Sequence, residues 1–225
     1  MQDPALAHWH VCEGTWFVGV DALDNDATGA VAGSGPLDGA AVRFLANLGP
    51  VPPLHRAQIS VIYPGYPRPR AGESDAAFRY RLNRDAAHVD GVRPVGPERR
   101  RHVLEPHGFV LGLPLCPASP EAAPLVVWEG SHRVMQAAFA RAFAGTDPAR
   151  RAQIDITEPY QAARRAVFET CRRVPLPAQP GEAYVLHRHA LHGVAPWADR
   201  ATAGPDGRMI AYFRPELPGG LADWI

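Results

Sequence analysis

Turns constrain this chain more than any other feature. It carries 24 prolines and 21 glycines in 225 residues, one residue in five. Proline removes a backbone donor and fixes φ, and glycine punctuates turns, so long uninterrupted elements have little room. The level stays below that of low-complexity chains, and 46% of the residues are apolar, enough for a packed core. Short strands joined by many turns are the expected outcome.

The local patterns agree. Residues 14–21, 57–64, 77–83, 108–115, 124–128, 182–188 and 207–214 read as strands from alternation or short apolar runs. Residues 37–48, 133–144 and 158–172 read as helices. Thr157 is the expected N-cap of the last, with Pro159 in its first turn. The regular strand–helix rhythm of a parallel sheet is missing. The expectation is a mainly β fold with flanking α-helices, a double-sheet jelly roll. At this length it forms one domain over 1–225, with a core about 55–215 and an N-terminal extension, 1–54.

Bulk chemistry narrows the function. Lys+Arg and Asp+Glu are both 23, so the formal net charge is zero. Nucleic acid and anionic membrane both select a basic surface, so neither is expected as a partner. The run Arg99-Arg100-Arg101 reads as a solvated loop. Cys12, Cys116 and Cys171 are odd in number and widely spaced, which gives neither a disulfide framework nor a zinc signature. The start, Met-Gln-Asp-Pro, lacks a signal-peptide pattern, and no run of about eighteen apolar residues is present. A cytoplasmic protein acting on a small molecule is expected.

Two motifs fail on inspection. Gly33-Ser-Gly35-Pro-Leu-Asp-Gly39 has its third glycine one residue late for a dinucleotide loop, with Pro36 intruding. Asp24-Asn-Asp26-Ala-Thr28-Gly29 begins like a calcium loop, but its twelfth position is Gly35, where a bidentate glutamate is needed.

His88-Val89-Asp90 is more informative. On an extended segment, residues i and i+2 share a face, so an imidazole and a carboxylate aim at one point. Two histidines and a carboxylate on one octahedral face suit Fe(II) and leave positions open for co-substrate and O₂. The second histidine must come from elsewhere. His187, His189 and His192, in Gly181-Glu-Ala-Tyr-Val-Leu-His-Arg-His-Ala-Leu-His-Gly193, are the candidates. Arg208 opens a later strand and offers a fork that binds carboxylates bidentately, with Arg200 and Arg214 as competitors. Tyr80, Trp197 and Tyr212 are candidate pocket residues, with core packing as the alternative.

Over residues 75–215 the sequence resembles the phytanoyl-CoA dioxygenase-like branch of the Fe(II)/2-oxoglutarate oxygenases. Four pieces in order carry the resemblance: His88-Val-Asp90; Pro124-Leu-Val-Val-Trp-Glu-Gly130-Ser131-His132; Gly181-Glu through His192-Gly193; and Arg208 opening the next strand. The resemblance implies a double-stranded β-helix, iron on His88, Asp90 and His192, and 2-oxoglutarate on Arg208. Retention of Asp90 implies hydroxylation, because related halogenases lack that carboxylate. Val194 and Trp197 stand where the family often has a small hydroxyl residue and an asparagine. The interval from His192 to Arg208 is also longer than usual, with the excess in Thr202-Ala-Gly-Pro-Asp-Gly207. Two other classes share such ligands: a cupin-like metal- or ligand-binding protein without turnover, and a metal-dependent hydrolase or isomerase. Loops 65–75, 91–107 and 145–160 are expected to set specificity.

Overall fold

The computed structural model describes residues 4–225; Met1–Asp3, at the start of the N-terminal reading, lie outside it. Eleven strands and five α-helices form among the described residues. The strands are β1 (His10–Val11), β2 (Trp16–Gly19), β3 (Gln58–Ile62), β4 (Val92–Val95), β5 (Arg100–Val103), β6 (Phe109–Pro114), β7 (Leu125–Trp128), β8 (Arg173–Leu176), β9 (Tyr184–His187), β10 (His192–Val194) and β11 (Arg208–Phe213). The helices are α1 (Ala40–Leu48), α2 (Asp75–Asn83), α3 (Ser131–Ala142), α4 (Thr157–Thr170) and the single turn α5 (Leu221–Trp224). No helix among the described residues is long and apolar enough to cross a membrane.

All pairings are antiparallel. The larger sheet runs β1-β2-β3-β11-β6-β9, the smaller β10-β7-β8, and β4-β5 form a separate hairpin. Alternation explains the layering. On β7, Leu125 and Val127 point toward the larger sheet, where they meet Val110, Tyr184, Leu186 and Ile210. Val126 and Trp128 point the other way, onto Met135 and Phe139 of α3 and Tyr160 and Val167 of α4. The outer face of the larger sheet buries Ile59, Val61, Leu111, Ala211 and Phe213 against Leu45 of α1. The order is therefore helix, sheet, sheet, helices. A fully enclosed side chain such as Phe139 contributes roughly 1.5–3 kcal/mol to holding these layers.

One segment contradicts its sequence pattern. Residues 77–83 form part of helix α2, not a strand. The Ser74 hydroxyl accepts the Ala77 N–H, Asp75 sits in the first turn, and Asp75–Asn83 contains no β-branched residue. Capping and propensity outweigh a period-two alternation. Helix α4 has the expected place but a different cap: Asp155 accepts the Thr157 N–H at 2.9 Å, and Thr157 is the first helical residue. The region 91–107, expected as a loop, contains the β4-β5 hairpin. Residues 10–19, in the expected N-terminal extension, add two strands to the larger sheet.

Candidate metal centre

The site begins with a backbone bridge. His88 N–H donates to the His192 carbonyl at 2.8 Å, and His192 N–H donates to the His88 carbonyl at 3.0 Å. Directly opposed residues in an antiparallel bridge present side chains on the same face. The two rings accordingly stand 4.7 Å apart. His192 pairs with Val127 on its other side, so its ring faces the larger sheet. Asp90 lies two residues beyond His88 and joins them. One ligand atom from each of the three lies within 4.8 Å of the others. Metal bonds of roughly 2.1 Å put adjacent octahedral ligand atoms about 3 Å apart, so small side-chain adjustments close the set.

The tautomers suit a cation. Nδ1 of His88 lies 3.1 Å from the Ala86 carbonyl, and Nδ1 of His192 lies 3.0 Å from the Ala190 carbonyl. A carbonyl only accepts, so both Nδ1 atoms carry hydrogen, and each Nε2 is the nitrogen that could give its electron pair to a cation, His88 first releasing the proton it shares with Asp90. Those Nε2 atoms are the ones facing Asp90, at 3.1 Å from His88 and 3.8 Å from His192.

Charge states agree. Burial opposes ionisation of Asp90, but His192, His88 and Arg214 outweigh it and hold the carboxyl well below its usual range. Burial pulls His192 down, against the opposing pull of Asp90. His88 moves upward: burial on its pocket side lowers it, and the bond to Asp90 more than compensates. Half of the His88 side chain remains open to solvent, whereas Asp90 and His192 are enclosed.

The ligand loop is held from both sides. Asp85 accepts a bidentate pair from Arg173 at 2.7 and 2.8 Å, and its carbonyl accepts the Val194 N–H. A side chain on Gly193 would collide with that carbonyl, its Cβ falling 2.1 Å from the Asp85 oxygen. From α4, the Tyr160 hydroxyl accepts the Val89 N–H at 3.2 Å; from α2, the Tyr80 hydroxyl donates to the Ala87 carbonyl at 2.7 Å. The Arg164 guanidinium lies over both rings, 4.5 Å from Tyr80 and 5.2 Å from Tyr160.

A cavity of about 170 Å³ opens beside the three residues, lined also by Trp16, Val18, Gln58, Ser60, Val110, Leu125, Gly193, Val194, Tyr212 and Arg214. Of the expected pocket residues, Tyr212 lines it. Tyr80 is on a helix behind the ligand loop, and Trp197 packs in a separate cluster with Tyr66 and Ile62, its indole N–H on the Ala201 carbonyl. His187 and His189 lie apart from Asp90, beside His132 and Trp224. Arg200 is exposed.

Arg208 is on the same strand face as Ile210, Tyr212 and Arg214. It aligns across β3 with Ile62 and then Trp16, which lines the cavity. It is buried, and among the described residues neither terminal nitrogen makes a well-formed hydrogen bond, the Tyr184 phenol being its polar neighbour. No other arginine among the described residues has both in that state. The Tyr184 phenol feels its charge: burial pushes the phenol up, and Arg208 partly offsets this. The Tyr184 hydroxyl itself donates to the Leu176 carbonyl.

Sequence reasoning passed over Trp16, Gln58 and Ser60. A signal existed for the last two: Gln58 and Ser60 alternate with Ile59 and Val61, placing polar groups on one face of an otherwise apolar strand.

No family model matches the chain, and no curated protein does. Solved structures overlap it loosely. One is the non-heme alpha ketoglutarate dependent carbocyclase SnoK from nogalamycin biosynthesis, at 15% identity and a TM-score of 0.37 over 76% of this chain and 56% of SnoK. Asparagine oxygenase (AsnO) overlaps at 17% identity and a TM-score of 0.36, over 89% of this chain and 72% of AsnO. EvdMO1 overlaps at 17% identity and 0.36, over 87% of this chain and 40% of EvdMO1. The chain thus spans well under two thirds of SnoK and of EvdMO1, and at these scores the likenesses carry no argument about its chemistry.

Proposed function

We propose that this chain is a single Fe(II)- and 2-oxoglutarate-dependent oxygenase domain that hydroxylates a C–H bond of a small molecule in the cytoplasm. The fold assignment that goes with this reading is a double-stranded β-helix, in the phytanoyl-CoA dioxygenase-like branch. The observation that carries it is the convergence of His88 Nε2, His192 Nε2 and an ionised Asp90 on one face of a cavity. That donor set fits Fe(II) and leaves coordination positions free.

The co-substrate also finds its complement. A guanidinium keeps its proton in proteins, so a buried fork with a neutral phenol beside it and no anion is costly until an anion arrives. Arg208 would take the distal carboxylate of 2-oxoglutarate. Ser60 would supply the hydroxyl that Val194 cannot. Its Oγ already accepts the Trp16 indole N–H at 3.0 Å, which leaves its own hydrogen to donate into the cavity.

When bound, iron(II) with 2-oxoglutarate and O₂ supplies C–H oxidation, releasing succinate and CO₂. The protein's residues do the rest. The Ala86 and Ala190 carbonyls keep both imidazoles turned toward the site. Val18, Val110, Leu125 and Val194 exclude water from the cavity wall. Tyr160 and Tyr80 fix the backbone on either side of His88. Succinate production from 2-oxoglutarate with Fe(II) and ascorbate tests the reading. Formation is expected in the wild type and not in Asp90→Ala; an inert wild type would return the protein to the metal-binding or hydrolase classes.

A further inference from the structure

Arg214 stands at the metal end of β11's inner face. Its Nη2 donates to Gln58 Oε1 at 2.7 Å, and among the described residues this is the only hydrogen bond of its guanidinium. Nη1 is 3.9 Å from Asp90 Oδ1, beyond hydrogen-bond range, and Nε is buried without a partner. The other carboxylate that feels its charge, Glu105, is already held by Arg93 at 2.9 Å and His107 at 3.3 Å. Arg214 and Gln58 both line the cavity that His88, Asp90 and His192 open onto. A cation with one neutral hydrogen-bond partner and only a long ion pair to Asp90 therefore faces the place where a substrate must sit.

Charge counting sharpens this. Taken formally, an iron(II) ion with Asp90, Arg208 and Arg214 totals three positive charges, and 2-oxoglutarate removes two. Asp90 cannot serve both the metal and Arg214 fully, because the ion draws its negative charge. One positive charge remains, and Arg214 is the side chain that carries it.

We propose that Arg214 receives a single anionic group of the substrate, a carboxylate or a group of like charge and shape, with Gln58 orienting the guanidinium. This makes the substrate a monoanionic small molecule that presents its apolar C–H region to the metal and its charge to the rim. The inference rests on the oxygenase reading and deepens it.

The test uses the full chain with Mn(II) in place of iron, saturating 2-oxoglutarate and no turnover. Water-proton relaxation first establishes metal binding and its change when 2-oxoglutarate displaces water. The probes are then butyrate and butyramide, with Mn(II) broadening of their methyl protons as the readout. Butyrate should bind about tenfold more tightly than butyramide, the ratio expected for one charge-assisted hydrogen bond. Arg214→Gln should erase that preference with Mn(II) affinity retained, and Arg214→Lys should keep part of it. Equal broadening by both probes in a protein that binds Mn(II) and 2-oxoglutarate overturns the Arg214 assignment alone. So does an Arg214→Gln variant whose Mn(II) affinity falls but which keeps the probe preference once saturated with Mn(II), which would make Arg214 a positioning residue for Asp90. Failure of the wild type to bind Mn(II) or 2-oxoglutarate removes the oxygenase reading and this inference together.

Discussion

Two histidine clusters stand in this molecule, and they are opposites. His88 and His192 face a carboxylate across a cavity, and each donates Nδ1–H to a backbone carbonyl. His187 and His189 stand 5.2 Å apart beside His132, Phe139 and Trp224, with no carboxylate in the group. His189 is wholly buried, and among the described residues neither ring nitrogen makes a well-formed hydrogen bond, with the Trp224 backbone as a polar neighbour. Burial pushes it down to about 3, so it stays neutral and packs as an aromatic ring. Proximity of histidines is common to both clusters; a carboxylate and an open face distinguish the first as the one that could hold a metal.

The same contrast separates two buried polar groups. His189 escapes its burial by shedding charge. Arg208 has no such route, so in the proposed reading its buried fork takes an anionic ligand where the imidazole takes none.

The largest effect is expected at the carboxylate that only one cluster has. Asp90→Ala removes the single anionic ligand and should weaken Co(II) or Fe(II) binding about a hundredfold or more, whereas His189→Leu should leave it unchanged. Isothermal titration of both variants measures this, and a metal loss in His189→Leu would move the site to the other cluster.

Next comes acid stability. The folded pKa of His189 is below its unfolded value near 6.5. The unfolded chain therefore takes up a proton that the folded chain refuses, and stability falls as pH drops from about 6.5 toward 3. By pH 5 this one group costs on the order of 2 kcal/mol. Urea unfolding at pH 7.5 and pH 5 should show a smaller loss for His189→Leu than for the wild type. Equal losses would mean that His189 is already protonated in the fold.

How far the sequence alone leads depends on the range of the interaction. His88, Asp90 and Arg208 sit in local patterns, an i, i+2 pair and a strand opening, and are legible as candidates. The choice of His192 over His187 and His189 came from resemblance, since all three share one short segment. Geometry separates them, through a bridge to His88 from the far side of the chain. Ser60 and Trp16 meet across 44 residues, and Arg214 reaches Gln58 across 156, because β2, β3 and β11 are neighbours in the sheet. Local periodicity holds no information on such pairing. Helix α2 departs from its sequence pattern for the converse reason: Ala77-Phe-Arg-Tyr-Arg-Leu-Asn83 alternates, and the Ser74 cap three residues upstream decides the outcome.

A smaller effect is expected at the buried arginine fork. Arg208→Lys keeps a charge but loses the fork, so the 2-oxoglutarate requirement should rise about tenfold with metal affinity unchanged. An unchanged requirement, read from succinate formation, would shift the role to Arg214. The smallest effect concerns the ligand loop. Tyr160→Phe leaves the Val89 N–H without its partner and should weaken Co(II) binding about fivefold to tenfold, with a perturbed Co(II) visible spectrum. Unaltered binding and spectrum would show that the β-bridge alone positions His88.

The central claim is that the His88–Asp90–His192 face and Arg208 together hold iron(II) and 2-oxoglutarate. Oxygen-free titration of 2-oxoglutarate into the Fe(II)-loaded protein, followed by visible absorption, tests it most directly. A metal-to-ligand charge-transfer band should grow and saturate in the wild type, be absent in Asp90→Ala, and require more 2-oxoglutarate in Arg208→Lys. A wild-type protein that binds Fe(II) but develops no band would contradict the claim.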